Sequence, residues 1–181
     1  MSSENDRSAD NQQEIDISDE YFLGFIEGEG CFYVGFGKRK DLPLGWQVIT
    51  EFHLSQNPGG KIILEAFKRR IKGGYIKPNH AKSTKDKTWV LIIKNREDLK
   101  TRLIPFLEKH KLRSSKYQDF VIFKRTLELI ETKKHLSKDG FQKIVKLVFS
   151  SERNTNKRYS QSEILRPSET ISRTPIKSEK I

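Results

Sequence analysis

Tyr21–Gly30, YFLGFIEGEG, is the stretch from which the rest of the chain is read. Ser18 stands where a helix N-cap accepts backbone N–H groups, and Asp19 and Glu20 bring the negative charge that a first turn favours. The pattern predicts a short helix stopped by Gly30. Gly24 and Gly28 lie four apart, so they share one face and leave it without side chains. Two glycines in an exposed helix cost roughly 2 kcal/mol against alanine. A face kept so bare implies the close approach of a second backbone. Glu29 falls in the last turn, where the helix dipole disfavours a negative charge by about 0.3–1 kcal/mol. Such a carboxylate needs a positive partner, and a metal ion is one.

The 181 residues suffice for one domain with tails. Lys and Arg number 35 against 24 Asp and Glu, a net charge of +11. With one basic and five acidic residues in 1–17, and seven and four in 150–181, residues 18–149 keep 27 basic and 15 acidic side chains. The folded part is therefore the basic part, which points to a polyanionic partner. Cys31 is the single cysteine, so neither a disulfide framework nor a cysteine metal cluster is expected, and a packed side chain in a reducing interior is. His53, His80, His110 and His135 show no ligand spacing. No apolar run is long enough to span a membrane, and the acidic start does not read as a signal or transit peptide.

Along the chain, 1–17 is polar and reads as a disordered tail. Cys31–Lys40 and Trp46–Ser55 alternate as two strands of a hairpin, turned by Asp41–Gly45. Phe32, Val34, Phe36, Val48, Thr50, Phe52 and Leu54 form the expected inner face. Asn57-Pro58 opens a helix with Ile63, Leu64, Phe67 and Ile71 at helical spacing, and Gly73-Gly74 closes it. Tyr75–Asn79 and Thr88–Lys94 read as a second hairpin around the basic loop His80–Lys87. Asn95 caps a helix with Leu99, Leu103 and Phe106 inward. Lys116–Glu131 and Ser137–Phe149 complete a domain at 18–149, and 150–181 reads as a flexible basic tail.

Phe22-Leu23-Gly24-Phe25-Ile26-Glu27-Gly28-Glu29-Gly30 resembles the nine-residue signature of the LAGLIDADG homing endonucleases, position for position. The resemblance extends over about 18–131. It implies an α+β fold, αββαββα with extra C-terminal helices and a curved four-stranded antiparallel sheet per subunit. The signature occurs once, which resembles the single-motif members that act as homodimers. In that family paired motif helices meet through their small residues, so Leu23, Gly24, Glu27 and Gly28 are the expected interface. Glu27 points away from Glu29 on the helix, and supporting a neighbouring helix is its other expected role.

The same resemblance implies site-specific double-strand DNA cleavage, with Mg²⁺ or Mn²⁺ held by Glu29 and the Gly28 carbonyl. One chain offers one well-placed carboxylate, and a two-fold axis supplies the second. Phe52-His-Leu-Ser-Gln56 closes the second strand as the family does, which puts Gln56 where relatives hold a water-organising side chain. Lys116, in Lys116-Tyr117-Gln118-Asp119-Phe120, matches the segment that carries an active-site lysine, with Lys111, Arg113 and Lys61 as further basic candidates. By strand parity the groove-facing set is Tyr33, Gly35, Gly37, Arg39, Gln47, Ile49, Glu51, His53, Lys77, Asn79, Thr88 and Val90. Arg39 suits guanine, Gln47 and Asn79 suit adenine, and Glu51 suits cytosine. Lys38, Lys40, Lys82, Lys85 and Lys87 suit phosphate. The expected partners are duplex DNA and a second copy, in an organelle or a bacterial or archaeal cytoplasm. The alternatives are an RNA-binding maturase acting on a host intron and a DNA-binding regulator with an inactive core.

Overall fold

A computed structural model describes residues 16–151 and 158–166. The rest of the two predicted tails lies outside the described residues. The element order is α1 (Asp19–Glu29), β1 (Gly30–Lys38), β2 (Trp46–Gln56), α2 (Lys61–Ile71), β3 (Tyr75–Pro78) and β4 (Trp89–Ile93), followed by helices only. These are α3 (Arg96–Asp98), α4 (Ile104–Lys109), α5 (Lys116–Glu131), α6 (Lys138–Phe149) and α7 (Gln161–Leu165). The strands form one four-stranded sheet in the order β1-β2-β4-β3. The expected αββαββα order is present. Two compact units interleave along the chain: among the described residues, 16–31 with 52–114, and 32–51 with 115–151 and 158–166.

In the first unit, α1 begins where Ser18 accepts the Tyr21 N–H at 3.2 Å, and it buries Phe22 and Ile26. Phe22 meets Phe67 of α2 at 5.1 Å between ring centroids, and Phe67 in turn meets Phe52 and Phe106. Full burial of each such ring stabilises by about 2–3 kcal/mol. Asn57 receives the Gly60 N–H at 3.0 Å, as an N-cap before Pro58 should. A 3₁₀ turn over Pro58–Gly60 comes first, so α2 starts at Lys61. The helix also stops earlier than the double glycine suggested, because Lys72 itself takes the left-handed cap conformation (φ 54°). Gly74 (φ 80°) then turns the chain so close to β4 that a Cβ would lie 2.6 Å from the Ile92 carbonyl.

β4 runs antiparallel to both neighbours: Ile92 faces His53 and Tyr75, and Val90 faces Ser55 and Lys77. This central position buries Val90 and Ile92 as well as Leu91 and Ile93. Val90, placed on the groove face by parity, is buried at 2% exposure, so its side chain is not presented to solvent. Between α3 and α4 the chain is π-wound over Leu99–Leu103. Pro105 has no N–H for the Thr101 carbonyl one turn back, which accounts for the widened turn. Leu99, Leu103 and Phe106 are buried, as predicted.

The second unit holds the β1–β2 hairpin and α5 to α7. Phe32 packs on Phe120 and Phe123 of α5, each at 5.6 Å, and Phe36 meets Phe141 of α6 at 5.8 Å. Val34, Val48 and Thr50 are buried on the same side, so the inner face of the hairpin is the one the alternation predicted. Beyond Ser150 the described residues are 151 and 158–166. Ser160 and Glu163 close a reciprocal capping box on α7, and Ile164 is buried at 3% exposure. Tyr159 stacks edge-on against Trp46 at 4.9 Å.

Candidate active site and nucleic-acid interface

The motif helix sets out its residues on three sides. Phe22 and Ile26 point into the core, while Gly24 and Gly28 are exposed, with open space where a Cβ would stand. Glu29 is exposed in the last turn, with no basic residue in that turn. Its carboxylate has no hydrogen bond or ion pair among the described residues. Gly30 is not the left-handed stop its place suggested. It is extended (φ −69°, ψ 143°) and passes directly into β1, its N–H bonded to the Ile26 carbonyl. Glycine is required there for space, because a Cβ would sit 2.7 Å from that same carbonyl.

Glu27 is half-buried and bound to its own chain. Its carboxylate accepts the backbone N–H groups of Arg113 and Ser114 and the Ser114 hydroxyl, the Ser114 N–H at 3.2 Å to each oxygen. The motif helix thereby fastens the chain just ahead of Lys116. At the other end of the helix, Arg70 grips Asp19 through Nε and Nη2, both at 2.7 Å. The Arg70 bond holds the Asp19 carboxyl below the usual range, and His110 Nε2 lies 3.1 Å away.

Glu29 and Gln56 belong to the first unit and Lys116 to the second. The Gln56 carbonyl accepts the Asn57 N–H at 2.8 Å, and the side chain lies against Gly60, so its acceptor end is engaged in the turn into α2. Lys116 is the half-buried first residue of α5, as predicted. Lys111 and Arg113 are exposed, and Lys61 lies over the Trp89 ring at 4.4 Å. Among the described residues no three His, Cys, Asp or Glu side chains converge as a metal site. Cys31, expected to be packed, is exposed. No described helix is long and apolar enough to cross a membrane.

On the hairpin of the second unit, Tyr33 is exposed and its ring lies along the strand over Gly35, while Ile49 stands beside Gly37. Arg39 is bound to Asp41 and approaches Gln47. Glu51 is half-buried. Lys40 is exposed, whereas Lys38 is held over the Trp46 and Tyr159 rings at 5.8 and 5.3 Å. In the first unit, His53 is half-buried and Lys77 exposed. Asn79 bonds the Thr88 carbonyl at 2.8 Å, extending the second hairpin. Thr88 donates its hydroxyl to Asp86, which also contacts His80. These bonds, the one to Thr88 first, hold the Asp86 carboxyl down to about 2. Lys82, Lys85 and Lys87 stand exposed around this ordered loop.

Asp41, Asp86 and Tyr159 lie in segments that composition reads only as turn, loop or tail. The available signal was an acid within a few residues of a basic or hydroxyl side chain in a loop too short to separate them.

The LAGLIDADG endonuclease profile matches residues 22–127. The chain belongs to the LAGLIDADG endonuclease family. It is 30% identical over 127 residues to the probable intron-encoded endonuclease 2 of Neurospora crassa, covering 70% of this chain and 26% of that protein. It is also 30% identical over 128 residues to DNA endonuclease I-CeuI of Chlamydomonas moewusii, covering 67% and 57%. The chain thus spans about a quarter to just over half of these curated LAGLIDADG relatives. Among solved structures, the homing endonuclease I-TnaI superposes with a TM-score of 0.74 at 32% identity, over 83% of this chain and 97% of that one. The archaeal intron-encoded homing endonuclease I-Vdi141I, solved in complex with DNA, gives 0.71 at 27% identity, over 81% and 91%.

Proposed function

We propose that this LAGLIDADG chain is a homodimeric, metal-dependent endonuclease that makes a site-specific double-strand break in a long, partly palindromic DNA target. The observation that carries the reading is Glu29, exposed on the last turn of a glycine-faced helix without a partner among the described residues. A single carboxylate is too few ligands for a site. A second copy, packed through the open Gly24–Gly28 face, supplies the other. Carboxylate and carbonyl oxygens are the donors that Mg²⁺ or Mn²⁺ prefers, so Glu29 and the Gly28 carbonyl would hold the ion. When bound, the ion supplies an activated water and stabilises charge on the leaving oxygen.

The chain's own residues do the rest. Lys116 brings a positive charge toward the phosphate. Gln56, its carbonyl already engaged, offers its amide to orient water. The polar face of the sheet enters the major groove, where a two-stranded ribbon fits. Lys38, Lys40, Lys82, Lys85 and Lys87 bear on phosphates and make affinity salt-dependent. The intron-encoded relatives support a gene carried by a mobile intron, with the protein at work inside an organelle or a bacterial or archaeal cytoplasm.

The test is incubation of the full chain with Mg²⁺ and a library of long, partly palindromic duplexes. Cleavage that disappears in Glu29→Gln supports the reading; absence of any product sinks it. Metal-independent rescue of host-intron splicing without cutting would instead assign an RNA maturase.

A further inference from the structure

Arg39 closes the β1–β2 hairpin, its N–H bonded to the Gly45 carbonyl at 2.9 Å, so its backbone is fixed by the turn. The guanidinium is fixed as well. Nε lies 2.8 Å from Asp41 Oδ1 and Nη2 lies 2.6 Å from Asp41 Oδ2, a bidentate pair along one side of the fork. Gln47 Oε1 stands 3.5 Å from Nη1. A guanidinium carries five N–H groups. Asp41 takes the Nε hydrogen and the Nη2 hydrogen beside it. Gln47 takes one of the two on Nη1. Asp41 leaves the end edge uncovered, where each terminal nitrogen has one hydrogen, the two parallel. That edge is the one a bidentate guanine contact uses.

We propose that Asp41 is a specificity-determining residue that orients Arg39 to read one guanine in the major groove. The proposal rests on the DNA-binding reading above. An acid on a DNA-facing hairpin repels phosphate, so its presence there weakens non-specific affinity. What it contributes in return is orientation: a long, exposed side chain with several rotors is held in one geometry before DNA arrives. The Arg39 bond keeps the Asp41 carboxyl down at about 2, so the acid stays ionised at any working pH. The bland reading is a surface ion pair that merely closes a turn. The two readings differ in base preference, not in affinity alone.

The experiment selects bound duplexes from a randomised library with the full chain and sequences them. It compares the unsubstituted protein with Asp41→Ala, Asp41→Asn, Arg39→Ala and Arg39→Lys, and thermal melting checks that each variant is folded. The expected result is one base pair, repeated in the two half-sites, at which guanine is preferred about ten- to hundredfold. All four variants lose most of that preference and keep it elsewhere. Arg39→Lys keeps the charge and loses the fork, so it separates geometry from attraction. The proposal is overturned if Asp41→Asn and Asp41→Ala leave that position as selective as before, or shift every position evenly. It also fails if Arg39→Lys retains the preference. A library from which the unsubstituted chain enriches nothing overturns the DNA reading and this inference with it.

Discussion

At the scale of single residues, two carboxylates of α1 are in opposite situations. Glu29 is exposed and unpartnered among the described residues, whereas Glu27 is bound to its own chain. Glu29→Gln keeps the shape of the side chain and removes the charge, so fold and DNA affinity should survive while cleavage falls at least about a thousandfold. Single-turnover cleavage beside a gel-shift titration checks this; equal losses in both would assign Glu29 to binding. Asp19 makes the pH prediction. Arg70 lowers its folded pKa, so its contribution is fully present above the unfolded value near pH 4 and fades as pH falls through the lower folded value. Asp19→Asn should cost about 1 kcal/mol at neutral pH, and much less at about pH 3. Melting curves across that range read it directly.

At the scale of elements, two segments depend on tethers that strand and helix patterning does not reveal. The Glu27 carboxylate gathers three donors from Arg113 and Ser114. Replacing it by Gln should cost about 1–2 kcal/mol and speed amide exchange at those two positions before it affects the core. Unchanged protection at Arg113 and Ser114 would show that the tether is not formed in solution. The other tether is Tyr159, wedged beside Trp46 with Lys38 across both rings. Tyr159→Ala should alter Trp46 fluorescence and hasten proteolysis near α7, at a cost of about 1 kcal/mol or more. A protease pattern identical to that of the unsubstituted chain would mean that α7 is held by Ile164 alone.

For the whole molecule, the prediction concerns association. A Cβ at Gly24 meets nothing within 4 Å in the isolated chain, so Gly24→Leu should fold with an equal or higher melting temperature, since leucine favours a helix more than glycine by about 0.8 kcal/mol. In a dimer packed through that face the same side chain meets the partner's backbone. Solution mass should therefore drop from two copies to one, and cleavage should be lost with it. A variant that keeps both mass and activity would place the dimer contact elsewhere.

Much of this was legible in the sequence because it depends on local periodicity. The inner face of the first hairpin, the Ser18 and Asn57 caps, the start of α5 at Lys116 and the bare side of α1 all follow from spacing and cap chemistry. The extended Gly30, the burial of Val90 and the attachment of Glu27 to Ser114 depend on groups distant in the chain or on how tightly neighbours pack. Strand parity assigns a residue to a face; only the packing of neighbouring groups decides whether the residue there is buried. The amino-acid pattern alone thus determined the elements, their polarity and the odd carboxylate at the helix end. The tertiary structure alone decided which charged groups are already paired, because a hydrogen bond needs two atoms within about 3 Å, and no one-dimensional pattern carries that distance.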